Sequence, residues 1–265
     1  MRHIPAILIF SAILALQLLL IGEVGAGDSE AYYYSWSRNL SLSYYDHPAG
    51  IAFLIRISTV IFGHSTFGLR FFSTILINLS LLILYITGNI FYKETKTALI
   101  AMLFLISTPA FLIGGVSASP EPPLIFFCSL SLLFFFLFTK THMTSYLYIS
   151  FFLSGIGFNI KYSAIFLTAG YFYILIKKNR KLKRELICCA AITLASLLPV
   201  ILWNLAHKGV SFEYHLIDRV NPLYIPLNIL KFAGGQLLYF NPILVIIMIS
   251  LITREAKGKS ENIFK

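Results

Sequence analysis

Gly27–Pro48 reads GDSEAYYYSWSRNLSLSYYDHP, a polar stretch set between two apolar ones. It carries four of the chain's few carboxylates and histidines, Asp28, Glu30, Asp46 and His47. It also carries a dense aromatic cluster of Tyr32, Tyr33, Tyr34, Trp36, Tyr44 and Tyr45. What surrounds the stretch decides how it is read. Before it, Ile4–Ile21 is a largely apolar run after Arg2 and His3. After it, apolar runs of span length recur to the end of the chain. Repeats of that length describe transmembrane helices rather than a buried soluble core.

Composition agrees. The 265 residues are 58% hydrophobic and 12% charged, with a mean hydropathy of +0.81. Soluble domains carry about 25% charged residues. The 24 Phe and 15 Tyr suit lipid contact and interfacial belts. A net charge of +10 would suggest nucleic acid in a soluble protein. In a membrane chain it marks cytoplasmic loops instead, and no nucleic-acid partner is expected. Cys128, Cys188 and Cys189 lie inside apolar runs with no CxxC or Cys/His spacing. They predict neither a zinc site nor a disulfide frame.

Arg2 and His3 before an apolar run also fit a signal peptide ending at Val24-Gly25-Ala26. The length of that run and the apolar character of the later chain favour a first span. Asp28 or Ser29 caps an interfacial helix running to Leu40, with Tyr32, Trp36 and Leu40 on one face. Ala49–Phe62 carries Arg56 mid-run and reads as a second interfacial helix. Spans are expected at Leu69–Phe91, Thr97–Gly114, Leu124–Phe138, Tyr146–Ile160, Tyr162–Ile176, Leu186–Leu205 and Leu227–Leu251. With the first, that makes about eight, both termini inside. Arg2, Lys93, Lys96, Lys140, the run Lys177, Lys178, Arg180, Lys181, Lys183 and Arg184, and Arg254, Lys257, Lys259 and Lys265 then fall inside. Arg38, Arg56, Arg70, Lys161, Lys208, Arg219 and Lys231 fall outside, a bias of about two to one. The expected architecture is an all-α integral membrane bundle forming one transmembrane domain over residues 1–265. Its first outer loop, 23–68, faces the periplasm or the extracellular side.

On this topology Asp28, Glu30, Asp46, His47, Glu121, Lys161 and His207 gather on the outer side. Ionisable groups at a membrane are functional candidates, each with a plainer role beside it. Asp28 and Glu30 can act as a general base or hold a cation, or simply cap and charge a helix start. His47 and Lys161 suit a phosphate leaving group. Their plainer roles are a turn histidine bonded to backbone and a snorkelling lysine. Glu121, in a Pro-rich turn, and His207 also read as ordinary solvated loop residues. The aromatic rings can anchor in the interface or stack on a sugar.

Five ordered words carry a resemblance. SEAYYYSWSRNLSLSYYDHPAGIAFLIR (29–56) resembles the first outer loop of the glycosyltransferase family 39, protein mannosyltransferase-like group of the GT-C fold. That group includes the bacterial aminoarabinose transferases acting on lipid A. Pro120-Glu121-Pro122-Pro123 is similar to its TPD-x-P. Gly155–Tyr162 is similar to its G-x-x-x-x-SKY. Pro199–Asn204 with His207 and Val210-Ser211-Phe212 is similar to its P-x-LLWN-x-x-H…SF, and Gly235-Gln236-Leu237 to Pro242 to its GQL…P. The resemblance implies a GT-C-like bundle and a polyprenyl-phosphate-sugar donor used at the outer leaflet of the inner membrane. It implies inversion at the anomeric carbon and a glycolipid or protein acceptor. By position it implies Asp28 or Glu30 as catalytic base, and His47 and Lys161 at the donor phosphate. Tyr33, Trp36, Tyr45, Glu121, Trp203 and Asn204 would bind substrate. Asp46 and His207 are the candidate ligands if a divalent cation takes part.

Two departures stand out. The family has adjacent Asp-Glu where this chain has Asp28-Ser29-Glu30, which favours Asp28 as base after a one-residue shift. Members also run to about twice as many spans, so a further C-terminal half is expected to be missing or absent. Two other functions stay open at this level. A lipid or sugar flippase would place charges near the midplane in repeated halves. A truncated relative would act as an inactive scaffold.

Overall fold

The computed structural model describes residues 3–178, 182–218, 225–250 and 253. Helices account for almost all of it, and among the described residues there is no strand beyond one Ser43–Pro48 bridge. In order they are α1 (Ile4–Leu20), α2 (Asp28–Arg38), α3 (Gly50–Phe62), α4 (Thr66–Tyr92), α5 (Thr95–Ile106) and α6 (Pro109–Gly114). Then come α7 (Glu121–Thr141), α8 (Thr144–Ile160), a 3₁₀ turn (Tyr162–Ala164), α9 (Ile165–Lys178) and α10 (Lys183–Ala206). A short α11 (Val210–Glu213) runs into a π-helical turn (Tyr214–Asp218), and α12 covers Ile225–Tyr239.

Two helices organise the packing. α4 touches α1, α3, α5 and α7, while α8 touches α7, α9, α10 and the end of α3. Ala6, Ile77, Leu81, Tyr85, Ala98, Met102 and Phe111 close one core around α4. Phe135, Phe138, Leu147, Phe151, Tyr171, Leu175 and Cys189 close another around α8. Inside the first core, Asn78 Nδ2 donates to Gln17 Oε1 at 2.5 Å, and Thr74 Oγ1 to the Gly115 carbonyl at 2.7 Å. Such polar contacts hold helices together where lipid offers no hydrophobic incentive. At Gly155 a Cβ would collide with Ser196 Oγ, so the α8–α10 crossing needs a glycine there.

Three helices are long and apolar enough to cross a membrane: α4, α7 and α10. A fourth counts if Leu227–Tyr239 and Pro242–Ser250, bent by 94°, form one span. The expectation of about eight full spans is therefore corrected among the described residues. The reasons are local. Thr97–Gly114 splits into α5 and α6 because Pro109 lacks an N–H and restricts the residue before it, while Thr108 caps α6 by accepting from Phe111 N at 3.2 Å. Leu227–Leu251 bends at Asn241-Pro242. Its last residue, Leu251, lies outside the described residues, as do Arg2, Arg180, Lys181, Arg219, Arg254, Lys257, Lys259 and Lys265. α1 and α8 each have 17 residues. α7 starts earlier than expected because Pro122 and Pro123 fit a first turn, where their missing N–H is no loss.

The first polar stretch also folds differently in detail. α2 is capped at Gly27 rather than at Asp28 or Ser29, because Glu30 Oε2 reaches back to accept Gly27 N–H at 2.9 Å. Its buried face is Glu30, Tyr33, Trp36 and Ser37, while Tyr32 and Leu40 are exposed.

Candidate active site at the loop end of the bundle

The bundle has two chemically distinct ends. At one, Lys140 Nζ donates to the Ile90 carbonyl at 2.5 Å and lies over Phe91, close to Lys93 at the end of α4. At the other, contacts from four separate stretches gather the candidate residues.

The anchor of that end is Glu30. Arg70, in the first turns of α4, grips it with Nε–Oε1 at 2.7 Å and Nη2–Oε2 at 2.6 Å. Ala118 N–H donates to Oε1 at 2.8 Å and Gly27 N–H to Oε2 at 2.9 Å. The remaining guanidinium donors reach the carbonyls of Ile21, Val24 and Gly25. Both side chains are almost fully buried, at 3% and 7% exposure. Burial pushes the Glu30 carboxyl up, but Arg70 and the two backbone N–H groups outweigh it and hold it below the usual carboxylate range. Every acceptor position of Glu30 is engaged. Asp28, by contrast, is exposed on the first turn of α2, one turn before Tyr32.

Tyr44-Tyr45-Asp46-His47 forms a tight turn, closed by Tyr44 N–H to the His47 carbonyl at 3.0 Å. Tyr44 stacks on Trp36 at 4.2 Å and 5°, and its hydroxyl lies 2.9 Å from both the Trp36 and Asn39 carbonyls. Trp36 is 8% exposed and committed to this stack. Tyr45 stays exposed against Tyr214. Tyr33 is buried, with its ring 6.1 Å from His47. The Tyr32 hydroxyl donates to Asp46 Oδ1 at 3.2 Å. Burial and that carboxylate push the Tyr32 hydroxyl up to about 12.

The turn is pressed onto α8: a Cβ at Gly50 would stand 2.6 Å from the Asn159 carbonyl. This sets His47 beside Lys161, whose extended backbone joins α8 to the 3₁₀ turn. Lys161 Nζ meets Glu121 Oε1 at 2.6 Å, with side-chain exposures of 30% and 51%. Burial lowers the His47 imidazole. Asp46 then pulls it up, Lys161 down, Glu121 up and His215 down, for a net shift below the usual histidine value. Its Nδ1 is buried without a hydrogen-bond partner.

Two cavities flank the Lys161–Glu121 pair. One, of about 460 Å³, presents His47, Lys161, Tyr162 and His215 beneath an apolar wall including Phe158, Phe166 and Phe212. The other, of about 430 Å³, presents Ser117, Ser119, Glu121 and Gln236. Trp203 and Asn204 line neither. Trp203 stacks on His207 at 4.1 Å. Asn204 Oδ1 accepts Ser211 N–H at 3.2 Å, and its carbonyl accepts Gly209 N–H at 2.7 Å. Among the described residues no three His, Cys, Asp or Glu side chains form a metal-ligand group.

Three residues of this end escape a reading of the sequence. Arg70 carries a signal: an arginine at the head of an apolar run needs a buried partner. Tyr162 has only its place in a matched word, and His215 has none.

This end of the molecule, a loop carrying acids over a cationic, apolar-walled cavity, belongs to the GT-C fold. Its backbone superposes on the ArnT protein of Cupriavidus metallidurans with a TM-score of 0.67 at 14% identity, over 84% of this chain and 47% of that one. The S. cerevisiae protein O-mannosyltransferase Pmt1-Pmt2 complex gives 0.51 at 16%, over 78% and 34%. Residues 46–203 match the dolichyl-phosphate-mannose-protein mannosyltransferase family, and the chain belongs to it. Among curated relatives it is 26% identical over 239 residues to the lipid A galacturonosyltransferase RgtD of Rhizobium johnstonii. That alignment takes in 88% of this chain and 50% of the relative. It is 34% identical over 68 residues, 26% of this chain and 12% of the other, to an undecaprenyl phosphate-alpha-4-amino-4-deoxy-L-arabinose arabinosyl transferase of Proteus mirabilis. The chain thus spans half the length of RgtD.

Proposed function

We propose that this chain forms the catalytic loop and donor cavity of an inverting membrane glycosyltransferase. It moves a sugar from a polyprenyl-phosphate carrier to a hydroxyl of a lipid A-class glycolipid. One observation carries the reading: His47 and Lys161 open into a single cavity whose remaining wall is largely aromatic and aliphatic. A phosphate on an isoprenoid tail needs both halves of that lining. The extent of the match to RgtD favours a glycolipid over a protein acceptor.

Asp28 is the base in this reading. Glu30 is saturated by Arg70, Gly27 and Ala118, whereas Asp28 is open to solvent. It shares a helix face with Tyr32, whose hydroxyl meets Asp46 beside His47. Asp28 takes the acceptor hydroxyl proton as the oxygen attacks the anomeric carbon in line. The carbon–phosphate-oxygen bond breaks and its electron pair stays on the phosphate. The added negative charge is met by Lys161 and by hydrogen bonding from His47. The negative charge of a phosphate there opposes the burial that lowers His47 and favours a proton on the ring. Ser117, Ser119, Glu121 and Gln236, in the adjoining cavity, face the sugar or acceptor. The loop end sits on the periplasmic face of the inner membrane, both termini inside, in keeping with Lys93 and Lys140 at the opposite end.

The test is transfer from a panel of undecaprenyl-phosphate sugars to lipid A by the purified protein in nanodiscs. Transfer is expected, with a loss of about 100-fold or more in Asp28→Asn at unchanged melting temperature. A protein that moves the carrier lipid across the bilayer without transferring sugar would overturn the enzyme reading.

A further inference from the structure

The segment after α10 is tied down by polar contacts at several points. Asn204 holds Gly209 and Ser211. The Ser211 hydroxyl meets the Tyr162 hydroxyl at 2.7 Å, and that hydroxyl lies 3.3 Å from Ser43 Oγ. The chain then makes its π-helical turn, a form that recurs at functional sites. The turn projects His215 into the cavity that holds His47 and Lys161. The His215 ring packs edge-on against Tyr162 at 5.1 Å and lies 6.3 Å from the His47 ring. Its Nε2 lies 2.8 Å from the Asp46 carbonyl oxygen. A carbonyl only accepts, so Nε2 carries the hydrogen, leaving Nδ1 as the ring's second polar atom. Nδ1 becomes a donor when the ring takes a second proton. In the neighbouring His47 ring, Nδ1 is buried without a hydrogen-bond partner.

From this we infer that His215 is a further anion-binding residue, pairing with His47 to hold a lipid-linked phosphate against Lys161. The inference rests on the function proposed above and adds to it a residue outside the matched family stretch, 46–203. It also explains why so many hydrogen bonds are spent on fixing a short loop. That loop delivers a hydrogen-bonding imidazole to where the leaving phosphate gains charge. Asp46, Lys161, Glu121, Tyr162, Tyr33 and Tyr214 are the other ionisable groups facing the two rings.

The experiment is binding of undecaprenyl phosphate, with inorganic phosphate as competitor, to the full chain in nanodiscs at fixed pH. Wild type is compared with His215→Ala and His215→Gln. Glutamine keeps an N–H for the Asp46 carbonyl but cannot become cationic. Both variants are expected to raise Kd about tenfold, the scale of one charge-assisted hydrogen bond. KM for the sugar donor should rise in parallel, while the melting temperature holds. Inorganic phosphate should displace the lipid only weakly, because it cannot use the apolar wall. If Gln binds like wild type and only Ala is impaired, His215 is a loop latch and the inference falls. Wild-type affinity in both variants overturns it as well. A wild-type protein that ignores undecaprenyl phosphate altogether would instead sink the function on which it rests.

Discussion

Two ion pairs stand at the same end of this molecule with the same N–O separation, 2.6 Å, and they do opposite things. Arg70–Glu30 is almost fully buried, bidentate, and completed by backbone donors and acceptors on every side. Lys161–Glu121 is single-pronged, with Glu121 half exposed, and stands between two cavities. Distance does not distinguish a strut from an exchangeable contact. What distinguishes them is how many other partners each charge has and whether a ligand can reach it. Arg70 joins the end of α1, the first turn of α2, α4 and the loop before Glu121 into one body. The Lys161–Glu121 pair stands outside that network, open to both cavities.

The largest effect is expected from breaking the strut. Arg70→Ala leaves a buried carboxylate with no cation, a defect worth about 3 to 5 kcal/mol. The melting temperature in detergent should collapse, and donor binding should go with it. Glu30→Gln keeps the shape and should cost less. A variant Arg70→Ala as stable as wild type would show that the buried pair is not a strut at all.

Acid sharpens the same comparison. The folded Glu30 carboxyl titrates below its unfolded value, so its stabilisation is complete above the usual carboxylate range. It is lost as pH falls through the lower folded value. His47 adds a term of the same sign at higher pH. Its folded value is depressed below the usual 6.5, so protonation favours the unfolded chain as pH falls through about 6.5. Stability against pH should therefore decline in two steps on acidification. His47→Gln should remove the upper one, as read by chemical denaturation across pH.

Lys161→Ala should leave the fold intact and raise the donor KM about 10- to 100-fold, the cost of losing a charged hydrogen bond to phosphate. If instead kcat and KM are untouched while stability drops, the two pairs would have to exchange roles.

Legibility from sequence divides along the same line. The polar loop, the helical membrane character and the pairing of His47 with Lys161 rest on residue types and order, which sequence displays directly. The helix ends are less legible, because Pro109 and the Asn241-Pro242 bend cut apolar runs that hydropathy alone reads as continuous. Glu30 is instructive. An acid in a polar loop looks available for chemistry, and the sequence does not display the distant Arg70 and Ala118 groups that engage its carboxylate. Trp36 and Asn204 are similar: each belongs to a family word, yet one is spent on a stack with Tyr44 and the other on capping a loop. His215 is invisible in the sequence because its position depends on a π turn and on hydrogen bonds to segments far away along the chain.

The smallest expected change in stability is at Glu121. Removing the carboxylate charge in Glu121→Gln should shift unfolding by less than about 1 kcal/mol, since the pair is partly solvated and screened. Its effect on binding should run the other way. Lys161 is held by Glu121, and a phosphate must compete for it. Freeing the lysine should therefore tighten undecaprenyl phosphate binding a few-fold while slowing transfer, because Glu121 lines the cavity assigned to sugar or acceptor. A strut behaves differently: removing one half of it weakens everything at once. Tighter product binding together with a lower kcat in Glu121→Gln would thus mark this pair as a working contact. Weaker binding with lost stability would place it in the same class as Arg70–Glu30.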